Sequence, residues 1–470
     1  MNTQFPATPQ ATEIEQLDRD DVLHGFSTLC AQTTNDVVIV THAQGMRVTD
    51  QRGREFLDAG GGLWCMNVGY GRTSITEAAA AQMATLPYFH SFGNFSNEPM
   101  IRLSARLLKI APPGMSRVIF ASSGSEANDT QIKIVRRYNN LLGRPHKKKI
   151  IARLSSYHGS TVAAGSLSGL PMMHRTFDLP IPGILHTLST DYHRRPAGIH
   201  TPEQFNQHLI DDLTRMIETE GPATVAAFIA EPVSGSGGVL VPPPGYFREV
   251  KKILDRYDIL MIADEVITGF GRTGSWFASQ NLNIEPDLMS IAKGLTSGYF
   301  PMSGCLISAK IADVLYADQS ASAMFAHGFT WSGHPVGAAI ANANLDIMER
   351  ENLPGNAATV GSYLIARLRE KLGGHPLVGE IRGLGLLIGI ELDGDRATRR
   401  PFADTHRVSG FLSRACLDER LLVRGGHGRT VAALAPPLLV TTSDADEIVL
   451  RLGRALDRVA AEVKAAGLSA

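Results

Sequence analysis

Two short apolar runs in this chain each end in a single charge: Ile259-Leu-Met-Ile-Ala-Asp264 and, 29 residues on, Leu288-Met-Ser-Ile-Ala-Lys293. An apolar run without alternation reads as a strand buried on both faces, and such strands belong to parallel sheets covered by helices. Open sheets of that kind bind ligands beyond the carboxyl ends of their strands, which is where both runs deliver their charge. Further runs at 117–120, 149–153, 224–230 and 304–308 alternate with segments of helical period at 126–142, 201–218 and 246–256. The pattern predicts an α/β fold with a central, mostly parallel sheet flanked by helices, its core between about residues 70 and 345.

The two ends read differently. Residues 36–58 look like short antiparallel strands with turns at Ala43-Gln44-Gly45 and Gln51-Arg52-Gly53. Beyond residue 345, helices at 361–372 and 444–466 flank strands at 383–392 and 431–434. Both ends are expected to meet in a smaller α+β domain, which divides the chain into 1–69, 70–345 and 346–470.

Charge and cysteine usage narrow the classes of function. With 45 basic against 46 acidic residues there is no footprint for a nucleic acid. The basic run His146-Lys147-Lys148-Lys149 reads as a solvated turn before a strand. Four scattered cysteines, Cys30, Cys65, Cys305 and Cys416, fit neither a disulfide framework nor a zinc site. The polar first residues lack the pattern of a signal peptide, and no run approaches the roughly 18 apolar residues of a membrane helix. A soluble, cytoplasmic protein without metal or membrane partner is expected.

Asp264 alone could be a strand-end cap, and Lys293 alone a surface residue. The stretch Lys293-Gly-Leu-Thr-Ser-Gly298, however, is poor in charge and rich in small residues. A lysine desolvated there loses affinity for its proton and becomes nucleophilic toward carbonyls. Phe120-Ala-Ser-Ser123-Gly124-Ser125-Glu126 reads as strand, tight turn and helix start, with Ser123 and Glu126 at capping-box spacing. It is either a plain capped helix or an anion site made by the free N–H groups and dipole of the helix. Tyr157, after another strand, could stack on a planar ligand or simply pack. Phosphate cradle, stacking aromatic, carboxylate and lysine then fall on one sheet edge, which is what pyridoxal phosphate requires: a lysine for a Schiff base and an acid for the pyridine nitrogen. Two patterns mislead. Gly269-Phe-Gly271-Arg-Thr-Gly274 matches GxGxxG, but Asp264-Glu265 upstream would repel a pyrophosphate and no long helix opens at Gly274. His327 and His334 lie among glycines and are not expected to hold a metal.

Ser123-Gly-Ser-Glu-Ala-Asn-Asp129, Tyr157-His-Gly159, Glu231-Pro232, Asp264-Glu-Val266, Lys293-Gly294 and Thr330-Trp-Ser-Gly-His-Pro335 together resemble the class III aminotransferases, which are fold-type I pyridoxal-phosphate enzymes. The likeness runs from Asp36 to the last helix, and Gly62-Leu-Trp64-Cys-Met-Asn-Val-Gly-Tyr-Gly71 and His327-Gly-Phe-Thr330 look most like the amine–pyruvate or ω-aminotransferases, including those for β-alanine and putrescine. The resemblance implies a seven-stranded sheet and a ping-pong transfer from a primary amine or ω-amino acid to a keto acid, with pyruvate favoured. It implies that Lys293 bonds the cofactor and carries the proton, and that Asp264 pairs with the pyridine nitrogen. Tyr157 and Val266 would cover the ring faces, and Glu231 would support them from behind. Ser123, Gly124 and Ser125 would hold the phosphate, joined by Thr330 from a neighbouring subunit in a homodimer or a dimer of dimers. Trp64 and Phe92 would shape the substrate pocket, Phe92 in an aromatic run with Phe89, His90 and Phe95. Ornithine and 4-aminobutyrate aminotransferases have a second glutamate where this chain has Ser236. Arg424, or its near neighbour Arg429, would therefore meet the acceptor carboxylate, with no local anion to hold it when the donor is a simple amine. Another reaction on the same fold (aminomutase, racemase or decarboxylase) and a non-catalytic role remain as alternatives.

Overall fold

A computed structural model of the chain describes residues 9–29, 37–320, 323–426 and 428–468; Cys30, Asp36 and His427 lie outside them. Its centre is a seven-stranded sheet in the order Met115–Ala121, Ser303–Ser308, Leu288–Ile291, Leu260–Asp264, Val225–Ala230, Lys149–Arg153 and Ile184–Thr187. Ser303–Ser308 runs antiparallel to both its neighbours and the remaining pairings are parallel. The unbroken apolar runs follow from this. Phe228, Ala230, Met261 and Ala263 face one core cluster, and Ala227, Ile229, Leu260 and Ile262 face another. Helix Gly124–Leu141 covers the second with Ile132, Ile134 and Val135. Pro202–Glu220 and Tyr246–Arg256 contribute Phe205, Leu209, Val250 and Leu254 to the first. The edge strand Ile184–Thr187 is absent from the sequence reading. At four residues, half of them polar, it has no run long enough to stand out.

Near the N-terminus, Val40–Gln44, Arg47–Asp50 and Glu55–Asp58 form an antiparallel meander. Leu421–Leu422 joins it in parallel, with Leu421 opposite Leu57. A separate antiparallel sheet has the order Val378–Leu384, Leu387–Leu392, Arg429–Leu434 and Arg424–Gly426. The strand expected at 383–392 is instead the second half of a hairpin that turns at Gly385. There φ is +58°, and a Cβ would stand 2.6–2.7 Å from the backbone of Arg272 and Thr273. Only glycine fits such a turn. The helix expected from 361 begins at Leu353, with Pro354 in its first turn.

The basic turn is not solvated throughout. Lys147 is buried, with Nζ 3.0 Å from the Tyr257 carbonyl, and Lys149 pairs with Glu220 at 2.8 Å. The GxGxxG segment is a packed loop rather than a helix start. Arg272, fully buried within it, donates to the carbonyls of Leu386 and Pro436 and to Asn67. Burial without a paired carboxylate brings its pKa down to about 10. No described helix is long and apolar enough to cross a membrane.

Candidate active site

The carboxyl ends of four neighbouring parallel strands build the floor of a cleft lined by Gly124, Ser125, Tyr157, Glu231, Asp264, Val266 and Lys293 among others. Asp264 is fixed from both oxygens. Oδ2 accepts from Asn128 Nδ2 at 2.9 Å and lies 2.8 Å from His158 Nδ1, while Oδ1 accepts from the Val266 amide at 3.1 Å. Together these contacts aim the carboxylate in one direction. Lys293 follows its strand in a left-handed conformation (φ +42°), an uncommon backbone for a residue with a side chain. The turn is held by Asn344 Nδ2, which donates to the carbonyls of Gly294 and Leu295. Gly294 is required because a Cβ there would stand 2.4 Å from Asn67 Nδ2. Burial drives the proton affinity of Lys293 down, and Asp264 opposes that shift.

The anion cradle is the start of helix Gly124–Leu141. Ser123 caps it, its hydroxyl accepting from the Glu126 amide at 3.2 Å. The Glu126 carboxylate reaches back to the Ser122 amide at 2.7 Å, one residue before the reciprocal position expected of a capping box. Gly124 and Ser125 thus face the cleft, whereas the Ser123 hydroxyl is committed to the helix. Gly124 lies against Val266, which would stand 3.1 Å from an added Cβ. Ser125 Oγ accepts from the Ser160 amide at 3.0 Å, and Tyr157 Oη lies 3.0 Å from Ser160 Oγ. Behind Tyr157, the buried Glu231 carboxylate accepts from the amides of Tyr157 and Gly235 and from Ser234 Oγ. Burial pushes its pKa up. A flat ring with an anionic arm fits this geometry: Asp264 at one end, the Ser123-capped helix N-terminus with Gly124 and Ser125 at the other, Val266 and Tyr157 on the walls.

Residues 29–456 match the model of the family described as Aminotransferase class-III. The chain belongs to the class III aminotransferases. It is 47% identical over 423 residues to a diaminobutyrate–2-oxoglutarate transaminase from Halomonas elongata, covering 90% of each chain. It is 43% identical over 467 residues to a putrescine–pyruvate aminotransferase from Pseudomonas aeruginosa, covering 99% of this chain and 100% of the other. An omega transaminase from Pseudomonas jessenii in complex with PMP superposes with a TM-score of 0.93 at 40% identity, over 96% of this chain and 99% of that one. The protein is therefore a pyridoxal-phosphate-dependent enzyme that moves amino groups from amines to keto acids.

Not every expected residue of the aminotransferase stands in this cleft. Trp64 is buried behind it, against Gly235 and Ile267. Thr330 and Phe92 are exposed and line no part of their own chain's cleft. Both belong to one patch: the Thr330 carbonyl accepts from Tyr88 Oη at 2.8 Å, and Phe92 packs on Gly328. Arg429 is tied to Asp191 and to Glu391, the latter at 3.3 Å. Among the described residues the Arg424 side chain forms no hydrogen bond or ion pair. It is not without an acid, however. Asp58 acts on its charge, although the Asp58 carboxylate already accepts from Gly60, Gly62 and Tyr70. The sequence reading assigned no task to Asn128 and His158, the two side chains that aim Asp264. A signal existed, since both lie within quoted motifs and Asn128 is a polar residue on the inward face of an amphipathic helix.

Proposed function

We propose that this aminotransferase takes a primary amine or ω-amino acid as donor and pyruvate as acceptor in two half-reactions at one site. The observation that carries the acceptor reading is the contrast between Arg424, without an ion-pair partner among the described residues, and Arg429, bound on two sides. An arginine free to turn can meet a carboxylate when one is present and withdraw when the donor has none, which avoids leaving a buried charge unpaired. Ser236, buried where a glutamate would hold the arginine, supports the same reading. So does the putrescine–pyruvate relative, which matches nearly the full chain.

When bound, the cofactor supplies an electron sink for the carbon that loses its proton. The chain's own residues do the rest. Lys293, poor in proton affinity, is the covalent anchor and then the base that moves the proton at Nζ. Asp264 would hold a proton on the ring nitrogen, with Asn128 and His158 keeping its carboxylate aimed. Gly124, Ser125 and the helix N-terminus bind the phosphate with Ser123 as the cap, Tyr157 and Val266 hold the ring plane, and Glu231 fixes Tyr157. Trp64 shapes the pocket from behind.

Thr330 and Phe92 serve the partner's cleft in a cytoplasmic homodimer, built on the division 1–69, 70–345 and 346–470. Support for this comes from their exposure, together with Phe89, Phe95 and Trp331, on one patch of a single chain. Sedimentation at low concentration should show dimerisation and cofactor affinity strengthening each other; an active monomer would refute it. The acceptor is tested by charging the enzyme with a monoamine and following the cofactor band as keto acids are added. Pyruvate should restore it at lower concentration than 2-oxoglutarate, and the reverse order would reject the assignment.

A further inference from the structure

The strand that carries Arg424 is weakly held. Arg424–Gly426 is three residues long, contains two glycines and forms the edge of its sheet. Among the described residues its one ladder is with Arg429–Leu434, where Arg424 faces Ala433 and Gly426 faces Arg429 across a register shift. Backbone of this kind has wide conformational freedom and little packing to restrict it.

The closed end of the hairpin is pinned instead by Arg429. Its guanidinium is clamped between Asp191, on the loop that follows strand Ile184–Thr187, and Glu391, on the central strand of the same small sheet. Both acids are nearly inaccessible, at 8% and 1% exposure, so the pairs are shielded from solvent. Glu391 is further held by Arg382 at 2.6 Å, and these cations keep its pKa well down, at about 2. Arg382 in turn donates to the carbonyls of Gly238 and Val239, the end of the loop that begins at Glu231. The cluster therefore ties four segments together: the loop that carries Asp191, the loop behind Tyr157, the small sheet, and the hairpin of Arg424.

We propose that Asp191, through Arg429, is a positioning residue that fixes the base of the Arg424 hairpin and so sets selectivity for carboxylate-bearing acceptors. The inference rests on Arg424 as the carboxylate-binding residue. Asp191 lines no part of the cleft. Its charge holds one end of the hairpin still, so that only the Arg424 side chain has to move between half-reactions. Without that charge the edge strand drifts, and the arginine must be ordered anew for each acceptor.

The test uses holoenzyme of Asp191→Asn, Arg424→Ala and the double variant, with pyruvate and benzylamine as probes. Asp191→Asn should raise the KM for pyruvate about tenfold, the scale of one charge-assisted bond, at unchanged kcat. The KM for benzylamine should stay within about twofold, a shift too small to signal a lost bond. Asp191→Glu should recover most of the loss, and the double variant should be no worse than Arg424→Ala, since both act on one contact. Equal rises for both substrates, or losses that add in the double variant, would overturn the positioning role alone. A normal pyruvate KM in Arg424→Ala would overturn the carboxylate reading itself. If Asp191→Asn fails to fold, Arg429→Lys, which keeps the charge but loses the fork, must show the same pyruvate-only defect.

Discussion

Asp264 and Arg424 both act on Lys293, one raising its proton affinity and the other lowering it, and the protein holds them in opposite ways. Asp264 stands at the end of a strand with neighbours on both sides and is fixed by two side chains and an amide. Arg424 stands on a glycine-rich edge strand and is bound by nothing described. The difference follows the chemistry. The cofactor ring stays the same through both half-reactions, so its acid is best preorganised. The substrate changes from an amine to a keto acid, so in the proposed function its partner, Arg424, has to move.

The sharpest way to break this comparison is at the residue between the two. Lys293→Ala should lower turnover by about 10⁴-fold or more, since it removes both anchor and base. The absorption band of the lysine-linked cofactor should vanish while the far-ultraviolet circular dichroism is unchanged. Surviving turnover with the band intact would mean another lysine is the anchor.

Asp264→Asn should cost about 10²–10³-fold in kcat, the scale of one preorganised electrostatic contact. Both half-reactions should lose equally, because both use the same ring nitrogen; stopped-flow traces with amine and with keto acid measure this. A loss confined to one would show that the acid acts on substrate. Arg424→Ala should instead divide them. The pyruvate half-reaction should lose about ten- to a hundred-fold in kcat/KM, the range of a charge-assisted pair. The monoamine half-reaction should lose less, and equal losses would make the arginine structural.

The same contrast explains what could be read from the sequence. The floor was legible because the two buried strands that lead to Asp264 and Lys293 carry no charge before their ends, so a lone carboxylate or ammonium there stands out. The cradle was legible through Ser123 and Glu126, whose three-residue spacing is a local property of helix starts. Arg424 and Arg429 could not be separated, because what distinguishes them is the reach of Asp191 and Glu391, 238 and 38 residues away in sequence. His158 and Asn128 were hidden for the same reason, since their role is a contact with Asp264 and not a pattern around themselves. Strand Ile184–Thr187 was lost because its four residues, two of them polar, are too few to form an apolar run.

The smallest expected effect concerns stability, and it again sets Lys293 against its fixed acid. In the cofactor-free protein the lysine is largely desolvated, and its pKa lies below the ordinary 10.5. Below the depressed value it is charged in both folded and unfolded states, and the folded state bears the full desolvation penalty. Between that value and 10.5 only the unfolded chain binds the proton, so stability rises with pH at no more than about 1.4 kcal/mol per unit. Above 10.5 the penalty is gone. Lys293→Met should therefore be more stable than the parent toward urea at pH 7, with the gap closing as the pH is raised toward 10.5. Loss of the cation does not strand Asp264, whose oxygens keep their bonds to Asn128, His158 and Val266. Asp264→Asn removes the group that holds the proton on Lys293, so in that background the lysine pKa falls further and the closing should begin at lower pH. A gap that is flat from pH 7 to 10.5 would mean that Lys293 reaches water in the empty cleft.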